Sequence, residues 1–312
     1  MRYTLILALV AAVGCGRNPT GPSNPPPNPS PTTLTGHVVS TVAGLPLGGV
    51  RVSIGGVAVT SDPAGAFSLA TVLSGPQPFS LEGPGILTRR GWVQFHARDL
   101  TLDAITTDAP FDLAYYRDLV RGARDHGGQP QPLRRWTTPP RLYLRAVDEG
   151  GKGVAPTTLA TVRSALQGLP ERLTRGKLAF AEVREGTSTM VGVAGWVTVR
   201  WMTGLDPQGG CAAADVAVSG GTIDLYPKQA GCGCGDSAIR PRTIKHEVGH
   251  ALGLWHSPDS RDLMAPVGTV CDQNPTSRET FHAAILYSRP VGNTDPDDDP
   301  AGTVLMRPAR AQ

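Results

Sequence analysis

The sequence predicts an α/β (α+β) domain built on a mixed sheet, preceded by a small all-β sandwich. From Leu34 to Ile105 short apolar runs alternate with Gly, Pro and Asp turns, the pattern of antiparallel strands. From Arg141 onward strand-like and helix-like periods succeed one another, which asks for helices layered on a sheet. Across the chain 38 Gly and 29 Pro stand beside only 18% charged residues, favouring strands, turns and loops over helical bundles. A length of 312 residues leaves room for two domains with cores of ordinary size. The net charge of +3 provides no basic face for a nucleic acid, and that class of partner is set aside.

Residues 1–14 read as a signal peptide. Arg2 precedes an apolar run from Leu5 to Val13, too short to span a bilayer and built like a signal-peptide core. Ala12-Val13-Gly14-Cys15 resembles a bacterial lipobox, with Ala12 where that motif usually has Leu. The resemblance implies a lipid anchor on Cys15, membrane attachment through that lipid, and a place at the cell surface or outer membrane. An ordinary secretory signal cut nearby is the alternative and gives a secreted protein. Residues 15–32 include "NPTGPSNPPPNPSP" and form an extended, proline-rich spacer that cannot pack a core.

Residues 33–105 carry the β pattern. The stretch "GLPLGGVRVSIGGVAVTSDPAGAFSL" resembles the carboxypeptidase regulatory-like β-sandwich, with Val50, Val52, Thr60, Gly65 and Phe67 on its pattern. That resemblance implies a seven-stranded accessory module without catalytic residues. Residues 106–135 contain a helix at "FDLAYYRDLVRGA" and a proline-rich link.

The second domain is expected over residues 136–290. Leu142, Leu144 and Ala146 alternate as in a half-buried strand. A helix follows from Thr157 with Leu159, Val162, Leu166 and Leu169 along one side, ended or kinked by Pro170. Strands are expected at "LAFAEV", "GWVTVRWM" and "GTIDLYP". Near the end, Thr276 and Glu279 have capping-box spacing before a helix with Phe281 and Ile285 on one face. Residues 291–312 form an acidic tail, in which "NTDPDDDP" reads as a solvated end or a weak Ca²⁺ loop.

Cys211, Cys232, Cys234 and Cys271 are an even set suited to two disulfides in an oxidising compartment, with lipidation accounting for the odd Cys15. Cys232 and Cys234 lie too close in sequence to pair comfortably, so each is expected to reach Cys211 or Cys271, in either pairing. Metal binding by these thiols is the other reading, weakened by the lack of C-x-x-C spacing.

The stretch "HEVGHALGLWHS" carries the chemistry. His246 and His250 are four apart and share one helix face. His256 would leave that face on a continuing helix, so Gly253, suited to a left-handed helix end, is expected to turn the chain back. Three neutral imidazoles with an open fourth position describe a catalytic zinc site. Glu247 points about 100° away around the helix and is placed to take a proton from a zinc-bound water.

On His246, Glu247, His250, Gly253 and His256 the chain resembles the metzincin clan of zinc metalloendopeptidases. Ser257 and "LM-x-P" make it most similar to the matrixin branch, and Met264 falls where the clan has the methionine turn beneath its metal. The resemblance implies a metzincin-type catalytic domain, one catalytic Zn²⁺ on His246, His250 and His256, and Glu247 as general base. The reaction would be hydrolysis of a protein or peptide substrate by Glu-assisted attack of a zinc-bound water, outside the cytoplasm. Two departures matter. No cysteine lies between Gly16 and Gly210 to cap the metal as a matrixin propeptide does, and His37, His96, His126 and His282 lack the spacing for a second zinc.

Residues Gly221 to Leu225 are expected to offer an edge strand to an extended peptide, with Ala265 to Cys271 shaping the adjoining pocket. A surface-anchored binding module with a non-catalytic zinc site is the competing function. Glu247 discriminates, because a structural site has no use for a carboxylate beside its ligand. A zinc hydrolase of a non-peptide amide is the third.

Overall fold

The structure is a computed structural model and describes residues 32–71, 74–95, 99–268 and 270–305. The signal peptide, Cys15 and the spacer up to residue 31 lie outside the described residues, as does His96. The architecture is mixed α+β, with three sheets and few helices.

Seven strands form from the alternating region: β1 (Thr32–Ser40), β2 (Arg51–Ile54), β3 (Val57–Thr60), β4 (Ala66–Thr71), β5 (Gly75–Glu82), β6 (Arg89–Phe95) and β7 (Leu100–Ala104). One sheet has the order β4-β1-β7, with β1 antiparallel to β4 and parallel to β7. Strands β6-β5-β2-β3 make the second by antiparallel pairing. Because strand side chains alternate, each sheet sends one face inward, and Leu34, Val38, Val52, Ile54, Phe79, Leu81, Val93 and Leu102 share one buried core. Gly36 is needed there, since a Cβ would meet the Phe67 ring and the Leu100 carbonyl.

Next comes α1 (Leu113–Arg121), capped by the Asp112 side chain on the Tyr115 N–H and closed by Gly122 in the left-handed region. A 3-10 turn at Arg124–His126 follows. The remaining elements are β8 (Arg141–Arg145), α2 (Pro156–Leu166), α3 (Leu169–Thr174), β9 (Glu182–Gly186), β10 (Trp196–Trp201), β11 (Ala212–Ala214), β12 (Thr222–Leu225), α4 (Pro241–Ala251), α5 (Ser277–Leu286) and β13 (Val304–Leu305). The third sheet runs β11-β12-β10-β8-β9, parallel throughout except for the antiparallel edge strand β11. Its apolar face, with Leu142, Leu144, Val197, Val199 and Ile223, shares a core with Val162 and Leu166 of α2, Ile244 and Val248 of α4 and Ile285 of α5. No helix among the described residues is long and apolar enough to cross a membrane.

Several expectations are corrected. Pro170 does not end α2: that helix stops at Leu166, Gly168 takes the left-handed turn, and Pro170 sits in the first turn of α3, where its missing N–H costs nothing. The strand expected at "LAFAEV" forms later, at Glu182–Gly186. Strand β12 is not an edge, because β10 and β11 flank it and Ile223 is buried; the edge on that side of the sheet is β11.

The acidic tail is not a free solvated end over residues 293–299: it is buried at Asn293, Asp297 and Asp299 and only part-exposed at Asp295 and Asp298. Asp295 pairs with Arg117, Asp297 with Arg289, Asp298 with Arg90 and Asp299 with Arg89. Asn293 and Asp297 are fully buried. The carboxylates a calcium loop would need are thus each engaged by a guanidinium, and that reading is corrected with the solvated one. Beyond this network, β13 adds to β6 in parallel, extending the second sheet to β13-β6-β5-β2-β3.

Candidate metal centre

Helix α4 places the first two histidines. Pro241 occupies its first turn, and the helix ends as Gly253 adopts φ +105°. The Gly253 N–H donates to the His250 carbonyl at 2.8 Å and the Leu254 N–H to that of Gly249 at 2.9 Å, so the closing turn is fully bonded. A Cβ at Gly253 would also overlap the Arg134 carbonyl, a second reason for glycine there. The chain then doubles back, and the Trp255 N–H reaches the Leu119 carbonyl at 2.7 Å.

This turn brings His256 to the other two. One ring nitrogen from each of His246, His250 and His256 lies within 4.8 Å of the others. The His246 and His250 rings meet edge to face with centroids 4.7 Å apart, and their Nε2 atoms are 3.1 Å from each other. Each Nδ1 is occupied elsewhere: His246 Nδ1–H donates to the Leu263 carbonyl at 2.8 Å and His250 Nδ1–H to the Leu254 carbonyl at 2.8 Å. Carbonyls only accept, so both protons sit on Nδ1 and the two facing Nε2 atoms present lone pairs. Burial, reinforced by the neighbouring imidazoles, holds His246 well below its ordinary pKa and His250 at about 4, so neither ring carries a second proton at neutral pH. Lone pairs at this separation repel unless a cation lies between them. The residues fit a metal: three converging imidazoles, two of them with Nδ1–H donating to a backbone carbonyl, could hold one ion.

Glu247 is buried and faces the same cavity, of about 660 Å³. Burial raises its carboxyl to about 8, with Arg242 opposing the shift and Asp224 adding to it. One wall of the cavity is the edge strand β11, and the other is Pro266 to Gly268. Two arginines of the α4 region fix that second wall, Arg240 donating to the Gly268 carbonyl at 3.0 Å and Arg242 to the Leu263 and Ala265 carbonyls at 3.3 and 2.9 Å. Disulfides tie both walls down: Cys211–Cys232 beside β11, and Cys234–Cys271 at the end of the second wall.

Met264 is fully buried beneath α4, and a Cβ at Gly249 would run into its sulfur. Its carbonyl accepts from the Ser257 N–H at 2.9 Å, joining the turn below to the residue after His256. Glu279 of α5 accepts the Met264 and Leu263 N–H groups, while Asp262 accepts from Tyr115 at 2.6 Å and from Thr276 at 2.8 Å. These contacts were not foreseen. The capping-box spacing flagged Glu279, but only as a helix cap.

Asp125 is the other residue that sequence reasoning missed. Its carboxylate accepts the His256 Nδ1–H at 2.9 Å from the 3-10 turn after α1. No local pattern marks it, because its partner lies 131 residues further along.

No protein-family profile and no curated protein matches the chain. Among solved structures it is similar to metalloproteinase-II from Bacteroides fragilis at 12% identity, over 80% of this chain and 84% of that one, with a TM-score of 0.34. It is also similar to a type II cohesin–X-dockerin complex from Acetivibrio cellulolyticus at 19% identity, over 27% of this chain and 66% of that one, with a TM-score of 0.20. These scores are too low to assign a common fold.

Proposed function

We propose that the chain is an extracytoplasmic zinc-dependent metalloendopeptidase of metzincin type, closest in its site motif to the matrixin branch. The observation that carries this reading is the convergence of His246, His250 and His256 with their Nδ1 protons engaged, in one cavity with the buried carboxyl of Glu247. A closed structural site would need no carboxyl there, and would not adjoin a cavity of about 660 Å³.

His246, His250 and His256 would hold one zinc ion, which when bound supplies Lewis acidity to polarise a peptide carbonyl and acidify water. The Glu247 carboxylate takes a proton from the attacking water and returns it to the departing amine, so the carboxylate is regenerated each turnover. The outer edge of β11 offers unpaired backbone groups to which an extended peptide adds as a further strand, and the wall from Pro266 to Gly268 receives the side chain beyond the cleaved bond. Met264 has no chemical step; it fills the floor.

The same reading extends to the rest of the chain. The N-terminal β unit is an accessory module of carboxypeptidase regulatory-like type. Export through residues 1–14 with lipidation at Cys15 holds the enzyme at the cell surface or outer membrane, and two disulfides are in keeping with an oxidising compartment.

The test is cleavage of denatured casein or gelatin by the full chain, with metal analysis, for wild type and Glu247→Gln. Activity lost in the variant and on chelation, with about one zinc in both proteins, is the expected result. Bound zinc without cleavage in the wild type would favour the surface-anchored binding module instead.

A further inference from the structure

The metal reading is the premise here. His246 and His250 are oriented from within their own neighbourhood, by the carbonyls of Leu263 and Leu254. His256 is oriented differently. Its Nδ1–H meets the Asp125 carboxylate at 2.9 Å, and its backbone N–H donates to the second oxygen of the same carboxylate at 3.2 Å. One side chain thereby fixes both the ring and the backbone of the third imidazole.

Asp125 belongs to the segment between the N-terminal β unit and β8, and that segment is seated rather than slack. Its turn lies against the residue before His256: the His126 ring meets Trp255 edge-on with centroids 4.7 Å apart. Gly122, at φ +60°, lies so close beneath the Trp255 indole that a Cβ would overlap the ring. Helix α1 is anchored on its other side by the C-terminal segment, through Arg117 to Asp295 at 2.7 and 3.0 Å and Arg121 to Asn293 at 2.6 and 2.8 Å.

We propose that Asp125 is a positioning residue of the metal centre, and that the segment 113–126 is a working part of that centre rather than a tether. A carboxylate on Nδ1–H keeps the proton there and leaves the Nε2 lone pair toward the other imidazoles. Without it, the His256 ring is free to rotate and to adopt the other tautomer. Cutting the chain between residue 126 and β8 would then separate part of the site from the rest instead of releasing an active enzyme.

The test uses the full chain and reads zinc affinity by competition with a chromogenic chelator, together with the visible spectrum of the cobalt-loaded protein. Asp125→Ala is expected to weaken zinc binding about tenfold or more and to alter the cobalt bands. Asp125→Asn keeps an acceptor oxygen without the charge and should fall between, about threefold below wild type. A merely structural role would lower the unfolding temperature of the metal-free protein and leave the cobalt spectrum unchanged. Should Asp125→Ala fail to fold, Asp125→Asn decides alone. Zinc affinity within about twofold of wild type in the folded variants, while His246→Ala abolishes binding, would overturn the role of Asp125 and spare the metal site. Undiminished zinc binding by His246→Ala would sink the metal reading itself.

Discussion

Glu279 holds Met264 in place from the neighbouring helix: Oε1 accepts the Met264 N–H at 2.7 Å and Oε2 that of Leu263 at 3.1 Å. The same carboxylate accepts the Thr276 N–H at 2.7 Å and so closes the capping box of α5. Glu279→Ala strands three backbone donors at once and is expected to cost about 3 kcal/mol. Glu279→Gln retains an acceptor oxygen and should lose less. Urea unfolding of the two variants checks the order, and a midpoint for Glu279→Ala equal to wild type would refute it.

Gly249 lies between His246 and His250 with the Met264 sulfur directly beneath it. Alanine is the better helix former by about 1 kcal/mol, yet its methyl has nowhere to go unless α4 rises or Met264 moves. Gly249→Ala should therefore destabilise the protein, by about 1–3 kcal/mol, and weaken zinc binding as the histidine face tilts. Calorimetry and metal titration read the two effects. A stabilised variant with unchanged zinc affinity would show that the contact is slack.

His282 sets a pH dependence. Its ring is buried among Phe111, Tyr115 and Tyr116, donates through Nδ1 to the Arg278 carbonyl at 2.8 Å and accepts the Asp112 N–H at 3.3 Å. Burial lowers its pKa from 6.5 to about 4. The unfolded chain takes up the proton first on acidification, so stability falls from about pH 6.5 down to about pH 4, by at most about 3 kcal/mol from this residue. His282→Gln should flatten that part of the profile. Denaturant midpoints at intervals across the window decide, and a variant as acid-sensitive as wild type would contradict the assignment.

Arg289 joins the C-terminal segment to the N-terminal β unit. It is fully buried and bonds Asp297 through two nitrogens at 2.6 and 2.8 Å, with Asp103 on a third at 2.5 Å. Arg289→Met leaves the buried Asp297 without its cation and Asp103 with Arg89 alone, and is expected to cost about 3–5 kcal/mol. Burial alone would raise the Asp103 pKa, but the Arg289 and Arg89 guanidinium groups hold it well below the ordinary carboxylate range. That stabilisation is present above about pH 4 and is lost as pH falls toward the depressed folded value. An Arg289→Met protein as stable as wild type at pH 7 would show the network to be dispensable.

What the sequence disclosed, it disclosed locally. The four-residue step from His246 to His250, the glycine that turns the chain at residue 253 and the Thr276–Glu279 box are each contained within about one or two helical turns, where periodicity and capping rules apply. The missing relationships span the chain. Asp125 meets His256 at a separation of 131 residues, and Arg89 meets Asp299 at 210. The aspartates of the tail read as solvated because charge-rich stretches usually are; the arginines that bury them are scattered from residue 89 to residue 289. Edge position was misjudged for a similar reason. Only the tertiary pairing of the three-residue strand β11 shows that β12 is interior.

The return of the tail to the second sheet has a consequence for biogenesis. Strand β6 is covered by β13, and the Arg89 guanidinium receives Asp299, yet both partners leave the ribosome some 200 residues after the strand they complete. The N-terminal unit is therefore complete only once residues 299–305 have emerged. A chain stalled or clipped before residue 297 keeps an open β6 edge beside a buried arginine lacking one of its carboxylates, a template for pairing with another copy. Loss of residues 299–305 should register with cellular quality control as a defect of the N-terminal unit, some 200 residues away.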